Sequence, residues 1–291
     1  MTRFYHHQHM QIVSVSGEGA AEFLNDLLTA QITRLDTEIA RMACLLSPQG
    51  RILFDMMVFR LSETQLFLLT ETSQAEALAK RLTLYRLRRK LDISLRTEFM
   101  AGHIPSQDNL PPQLAERQNY IIRRDERHDQ LGYLCLAEQA EHSLLEISAD
   151  ADWQALRIGL GIPQTAADLT PNRALMLEAG LEHLHAVDFK KGCYIGQEVT
   201  ARTHYRGLVK RRILPVHAAT ASLQTGQIIR WQDKEIGTIL SVSHTRQTAL
   251  ATIRLDAVRD STDDVPLMID QNRLSLDIPA WMQPLPGFDD S

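Results

Sequence analysis

The chain has 291 residues, 44% hydrophobic and 23% charged, with three cysteines and a formal net charge of −5 from 31 basic and 36 acidic side chains. That length carries two or three domains with a sizeable core, and that composition excludes a disordered or fibrous chain. The acidic balance argues against nucleic-acid binding over most of the surface, and three scattered cysteines without a CxxC pair argue against a disulfide framework or structural zinc.

From the start of the chain, residues 1–11 are rich in histidine and have no apolar run behind a basic segment, so they do not read as a secretory signal. His6, His7 and His9 read as a solvated start rather than a metal tract. No stretch approaches the ~18 uninterrupted apolar residues of a membrane span, so no membrane is expected. Unpaired cysteines then place the protein in a reducing cytosol, as a cytoplasmic protein.

Residues 11–15 predict a strand and, after Gly17, the spacing of Ala20, Phe23, Leu24, Leu27 and Leu28 predicts a helix. Apolar runs at 42–46 and 52–61 flank Ser47-Pro48-Gln49-Gly50, a hairpin pattern. A strand is predicted at 65–70 and a helix over 74–90, on Ala75, Leu78, Ala79, Leu82, Tyr85 and Leu87. Residues 103–119 hold Pro105, Pro111 and Pro112 among polar neighbours and read as linker. Strands follow at 120–123 and 132–136. A helix over 153–158 ends near Gly159 or Gly161, with Pro163 as a stop. Beyond about residue 210, short runs at 212–216, 227–231, 235–242, 248–255 and 274–278 predict a small antiparallel barrel. The fold class is thus α+β, divided as 1–105 (an N-terminal α+β domain), 106–209 (a middle α+β segment) and 210–291 (the barrel). Trp153, Trp231 and Trp281 are scattered and read as packing residues.

The chemistry concentrates in Lys191-Gly192-Cys193-Tyr194-Ile195-Gly196-Gln197-Glu198. Two glycines let the backbone turn tightly and approach a ligand. A cysteine beside Lys190 and Lys191, near the start of a helix running through Arg202, has its thiolate stabilised by the cations and by the helix dipole. Cys44, between Ala43 and Leu45, and Cys135, between Leu134 and Leu136, read as small buried hydrophobes. For Cys193 the residues alone leave the reactive and the buried readings equally open.

That segment, continued by Val199-Thr200-Ala201-Arg202 and Tyr205-Arg206-Gly207, resembles the signature of the YgfZ family of folate-binding, iron–sulfur-related proteins. It looks especially like the branch that includes mitochondrial iron–sulfur assembly factors. Ser47-Pro48-Gln49-Gly50-Arg51-Ile52 resembles the family's N-terminal hairpin, Tyr85-Arg86-Leu87-Arg88-Arg89-Lys90 its basic helix end, and Leu160-Gly161-Ile162-Pro163 its central turn. The family is similar in turn to the T-protein of glycine cleavage, a tetrahydrofolate-dependent aminomethyltransferase.

The resemblance implies a T-protein-like three-part cloverleaf with a small C-terminal antiparallel β-barrel, binding tetrahydrofolate or a derivative. It implies a folate-binding accessory role in assembly or repair of iron–sulfur clusters in client enzymes, including tRNA-modifying ones. Cys193 is then the working residue, as a transient iron or cluster ligand, a redox group or a nucleophile, with no stable metal expected. Folate or partner contacts fall to Asp55, Lys191, Gly192, Tyr194, Gly196, Gln197, Glu198, Arg202 and Arg206, and the partners are folate and iron–sulfur assembly proteins or client enzymes.

Two departures separate the chain from the T-protein pattern. Gly50-Arg51-Ile52-Leu53-Phe54-Asp55 keeps one carboxylate where the T-protein carries paired aspartates. Arg157-Ile158-Gly159-Leu160-Gly161 has Gly159 where the T-protein has a pterin-binding glutamate, whose carboxylate can accept two hydrogen bonds at once. Aminomethyl transfer is therefore the alternative function rather than the first reading, and whether the chain turns over a substrate stays open. An RNA-binding module is the other alternative, raised by Arg202, Arg206, Lys210, Arg211 and Arg212 and opposed by the overall acidity. The same charges could hold a folate polyglutamate tail or an acidic protein partner.

Overall fold

The strands of the first half pair into one ten-stranded mixed sheet, in the order β10-β1-β7-β9-β8-β3-β4-β5-β2-β6. They are β1 (Thr2–His6), β2 (Met10–Ser16), β3 (Ile39–Leu46), β4 (Ile52–Arg60), β5 (Gln65–Glu71), β6 (Asp92–Arg96), β7 (Phe99–Ile104), β8 (Tyr120–Asp125), β9 (Tyr133–Glu138) and β10 (Leu145–Ser148). Pairing is antiparallel except for β1 with β10 and β3 with β8. This computed structural model describes residues 1–105, 110, 114, 119–220 and 222–288. Contacts divide the chain into two units, Met1–Asp150 with Leu184–Gln197, and Ala151–His183 with Glu198–Ser291.

In the first unit, helices α1 (Ala20–Leu27) and α2 (Thr72–Tyr85) cover one face of the sheet. Ala20, Phe23 and Leu24 of α1, with Ala75, Leu78 and Leu82 of α2, lie at helical spacing and bury against Val13, Val15, Ala43, Leu45, Met56, Val58, Leu66 and Leu68. The predicted hairpin is β3–β4, closed at Gly50, whose φ of 76° suits a residue without a Cβ. The helix predicted to Lys90 stops at Tyr85, because Leu87 turns into the left-handed region at φ 51°. Part of the predicted linker is strand: β7 runs to Ile104, and at Gly102 a Cβ would stand 2.3 Å from the Tyr5 carbonyl oxygen of β1. Pro111 and Pro112 lie outside the described residues.

The histidine-rich start is not a solvated segment. His7 is buried, with Nδ1 2.7 Å from Asp150 Oδ1 and Nε2 2.6 Å from His103 Nδ1. His103 Nε2 donates to Asp125 Oδ2 at 2.9 Å, and Arg127 closes on the same carboxylate through Nε and Nη2. Burial pushes His103 down to about 4, leaving the neutral imidazole to bridge its neighbours. His9 is exposed, as expected of a terminal histidine.

In the second unit, α3 (Ala151–Gly159) precedes a long stretch of turns, then α4 (Gln197–Tyr205) and the barrel. The barrel strands are β11 (Arg211–His217), β12 (Ile228–Trp231), β13 (Lys234–Val242), β14 (Thr248–Arg254), β15 (Leu267–Ile269) and β16 (Asn272–Leu276). They close antiparallel in the order β11-β14-β13-β12-β15-β16, as the regular short runs predict. A short helix, α5 (Leu255–Asp260), adds Leu255, Ala257 and Val258 to the barrel core. Arg157 of α3 is fully buried, and its Nη1 donates to Asp168 at 2.8 Å while Nη2 donates to Ser241 Oγ at 3.0 Å.

Candidate functional site

Thr29, just past the end of α1, is the node that fixes the Cys193 segment. Its Oγ1 donates to the Ala186 carbonyl at 2.6 Å and accepts from Cys44 N of β3 at 2.9 Å. Its own carbonyl accepts from Asp188 N at 3.0 Å. Asp188 Oδ1 in turn accepts from the backbone N–H groups of Lys190 and Lys191, at 2.7 and 3.1 Å, the side-chain-to-backbone pattern that stabilises a tight turn. Sheet, turn and motif are thus tied by short hydrogen bonds.

Lys191 then turns inward. It is 7% exposed, and its Nζ donates to the carbonyls of Asn25, Leu28 and Ala30 around the end of α1. These carbonyls lie at a helix C-terminus, where intrahelical donors run out and a cation is favoured. Burial pushes the Lys191 ammonium down to about 8. The Tyr194 ring lies 5.3 Å from Nζ and is buried. Between these two buried anchors, Gly192 and Cys193 are exposed.

Gly196 closes the segment at φ 82°, and a Cβ there would stand 2.6 Å from the Ser47 carbonyl oxygen and 3.2 Å from Gly50 Cα. Gly196 therefore seats the motif on the β3–β4 turn. Gly192 has open space where its Cβ would be, so nothing steric demands glycine there. Gln197 N donates to the Tyr194 carbonyl at 3.3 Å and begins α4.

Of the two lysines expected beside the thiol, Lys190 is exposed and Lys191 turns away from solvent. Lys191 spends its charge on three carbonyls and not on the thiol, and α4 starts four residues downstream, beyond the first-turn range of the helix-end field. What the fold provides is presentation: a thiol on an outward loop whose neighbours on both sides are clamped. Cys44 and Cys135 are fully buried, and burial raises both thiols far above their ordinary range. Cys193 is the one exposed thiol among the described residues.

The remaining predicted residues divide. Asp55 is buried on β4, in register with Cys44, and its carbonyl accepts from Thr70 Oγ1, so it joins the segment through Cys44 and Thr29. Glu198, Arg202 and Arg206 are exposed on α4 and just after it. Arg212 leaves the basic cluster: it is fully buried on β11, where Nη1 donates to Glu182 at 2.8 Å and to the Leu177 carbonyl. Gly159 is exposed at the end of α3 with open space around its Cβ direction. Thr29 and Asp188 were missed from sequence, although Asp188, two and three residues before the lysines, carries the local signal of an Asp turn. Among the described residues no group of three or more His, Cys, Asp or Glu is placed to hold a metal ion.

Residues 3–101 match the GCVT N-terminal domain and residues 210–284 the CAF17 C-terminal β-barrel domain. The human protein named iron–sulfur cluster assembly factor IBA57, mitochondrial, is 35% identical over 70% of this chain, which spans 63% of that relative. The Mycosarcoma maydis IBA57 homolog, also named mitochondrial, is 30% identical over 72% of this chain and is covered over 55% of its own length. The crystal structure of glycine cleavage system aminomethyltransferase T from Bartonella henselae superimposes with a TM-score of 0.76 at 18% identity. That superposition covers 96% of this chain and 86% of the other, and shows the shared fold. These matches agree with the resemblance read from the Cys193 segment. They overturn the cytoplasmic expectation, since the relatives from human, Mus musculus and Mycosarcoma maydis are all named mitochondrial. Composition and unpaired cysteines are common to both compartments and do not separate them.

Proposed function

We propose that this chain, which joins a GCVT N-terminal domain to a CAF17 C-terminal β-barrel, serves the assembly or repair of iron–sulfur clusters in client enzymes and acts through Cys193. The observation that carries the proposal is the exposed thiol held between the anchored Lys191 and Tyr194, in a chain whose relatives are named iron–sulfur cluster assembly factors.

A thiolate is the usual protein ligand of cluster iron, and a cluster takes several such ligands. Cys193 offers one, and among the described residues no group of three or more His, Cys, Asp or Glu is placed to hold a metal ion by itself. A cluster or iron held here completes its coordination on a visiting partner, and the single protein bond breaks readily when the cargo moves on. The clamped backbone keeps the sulfur in one place while iron–sulfur assembly proteins or client enzymes come and go. Clients that modify tRNA belong to this proposal.

Folate enters as a weakly held ligand. Gly159 supplies no carboxylate for a pterin, so tight pterin recognition by that segment is not expected, and no step is routed through folate. Two measurements test the reading. Removing the protein from its source cells lowers the activity of iron–sulfur enzymes and leaves enzymes without clusters unchanged; equal activities would refute the assembly role. Titration with reduced folates gives weak binding that Gly159→Glu tightens, and tight binding by the unaltered chain would refute the folate statement.

A further inference from the structure

A groove lies in the first unit between the end of α1 and the residues that follow α2. Its volume is about 750 Å³, and its lining includes Phe23, Leu27 and Tyr85 together with Arg86, Arg88 and Arg89. We infer that this groove receives an acidic segment of a partner protein carrying an apolar anchor, and that the partner so seated stands beside the Cys193 loop. The inference rests on the assembly reading for the visitor being a protein, and on the groove's own chemistry for the rest.

The charge is one-sided. Asp26 is the one carboxylate lining the groove, and it is paired with Arg89 at 2.7 Å. Arg86 donates to the Leu91 carbonyl, which positions it without neutralising it. Arg88 has no ion-pair partner among the described residues and is exposed. Such a rim on a chain of net charge −5 is complementary to carboxylates.

The apolar side is equally specific. Leu84 is 67% exposed and Leu87 85% exposed, flanking Tyr85. Leu87 stands at φ 51°, just past the end of α2, where glycine or asparagine would close the helix without strain. A leucine kept in that conformation presents its side chain to solvent at the mouth of the groove. Nucleic acid would satisfy the arginines and leave both leucines uncovered, whereas an acidic segment with a leucine or phenylalanine satisfies both.

The position links the groove to the candidate site. Asp26 and Leu27 of its wall fall between Asn25 and Leu28, whose carbonyls receive Lys191 Nζ. A partner bound here touches the same turn of chain that anchors the residue two before Cys193.

Fluorescence anisotropy on the full chain tests the inference with a labelled peptide mixing Glu and Leu, an all-Glu peptide and a labelled tRNA. The Glu/Leu peptide binds, more weakly as salt rises. Arg88→Glu weakens it at least about tenfold. Leu87→Gly also weakens it while keeping or raising Tm, since the substitution relieves the left-handed strain, so the loss is not one of folding. Cys193→Ala binds the peptide as the unaltered chain does, which separates failure of the groove from failure of the cysteine. Absence of binding, indifference to both groove variants, equal binding of the all-Glu peptide, or tighter binding of tRNA that Arg88→Glu abolishes would each overturn it.

Discussion

Gly196 lies against Ser47, so close that a Cβ on the glycine would stand 2.6 Å from the serine carbonyl oxygen. Ser47-Pro48-Gln49-Gly50 and Gly192-Cys193-Tyr194-Ile195-Gly196, far apart in the chain, therefore form one structure. The hairpin turn is the seat on which the cysteine loop is fixed.

Gly196→Ala is expected to destabilise the chain by about 2 kcal/mol, from its φ of 82° together with the clash at Ser47. Gly192→Ala, at a position with open space, is expected to stay within about 0.5 kcal/mol. Urea unfolding of both variants checks the pair. Equal midpoints for the two would mean that the contact with the turn does not hold the loop.

Lys191→Met removes the donor shared by the carbonyls of Asn25, Leu28 and Ala30. Leaving such groups buried without a partner costs about 1–3 kcal/mol. The urea midpoint falls, and alkylation of Cys193 by iodoacetamide changes rate as its loop loosens. A variant with the midpoint and alkylation rate of the unaltered chain would show that Lys191 is no anchor.

The buried His7–His103–Asp125 chain predicts acid lability. His103 is held at about 4, below its ordinary 6.5, so between those values the unfolded chain binds a proton that the folded chain refuses. Stability therefore falls as pH drops from about 6.5 to 4, by up to roughly 3 kcal/mol. Burial opposes the Asp125 carboxylate, yet the Arg127 guanidinium and His103 hold it well below the usual range, so its contribution is lost only at lower pH. Tm measured from pH 7 to 4 checks this: His103→Gln starts lower and declines less steeply. Parallel curves for variant and unaltered chain would contradict it.

Much of the framework was legible because it follows short-range rules. The β3–β4 hairpin and most barrel strands read directly, since alternation and turn residues report a half-buried strand locally. Strand β7 was hidden by Gly102, which reads as punctuation but is a strand residue permitting close approach to Tyr5. The end of α2 was misplaced because Arg86, Leu87 and Arg88 are good helix formers and the break is a leucine in a glycine-like conformation. His7 read as solvated because His103, Asp125 and Asp150, which bury it, are distant in sequence. At the site, the motif was legible and the use of Lys191 was not: proximity in sequence suggested a cation for the thiol, whereas the side chain turns toward α1.

The central claim is that Cys193 is the working residue, and complementation tests it most directly. In cells lacking the protein, Cys193→Ala is expected to accumulate folded, with the Tm of the unaltered chain, because the side chain is exposed and unburdened by packing. It is expected to leave iron–sulfur enzyme activity at the level of cells without the protein. Restoration of that activity to the level given by the unaltered chain would contradict the claim.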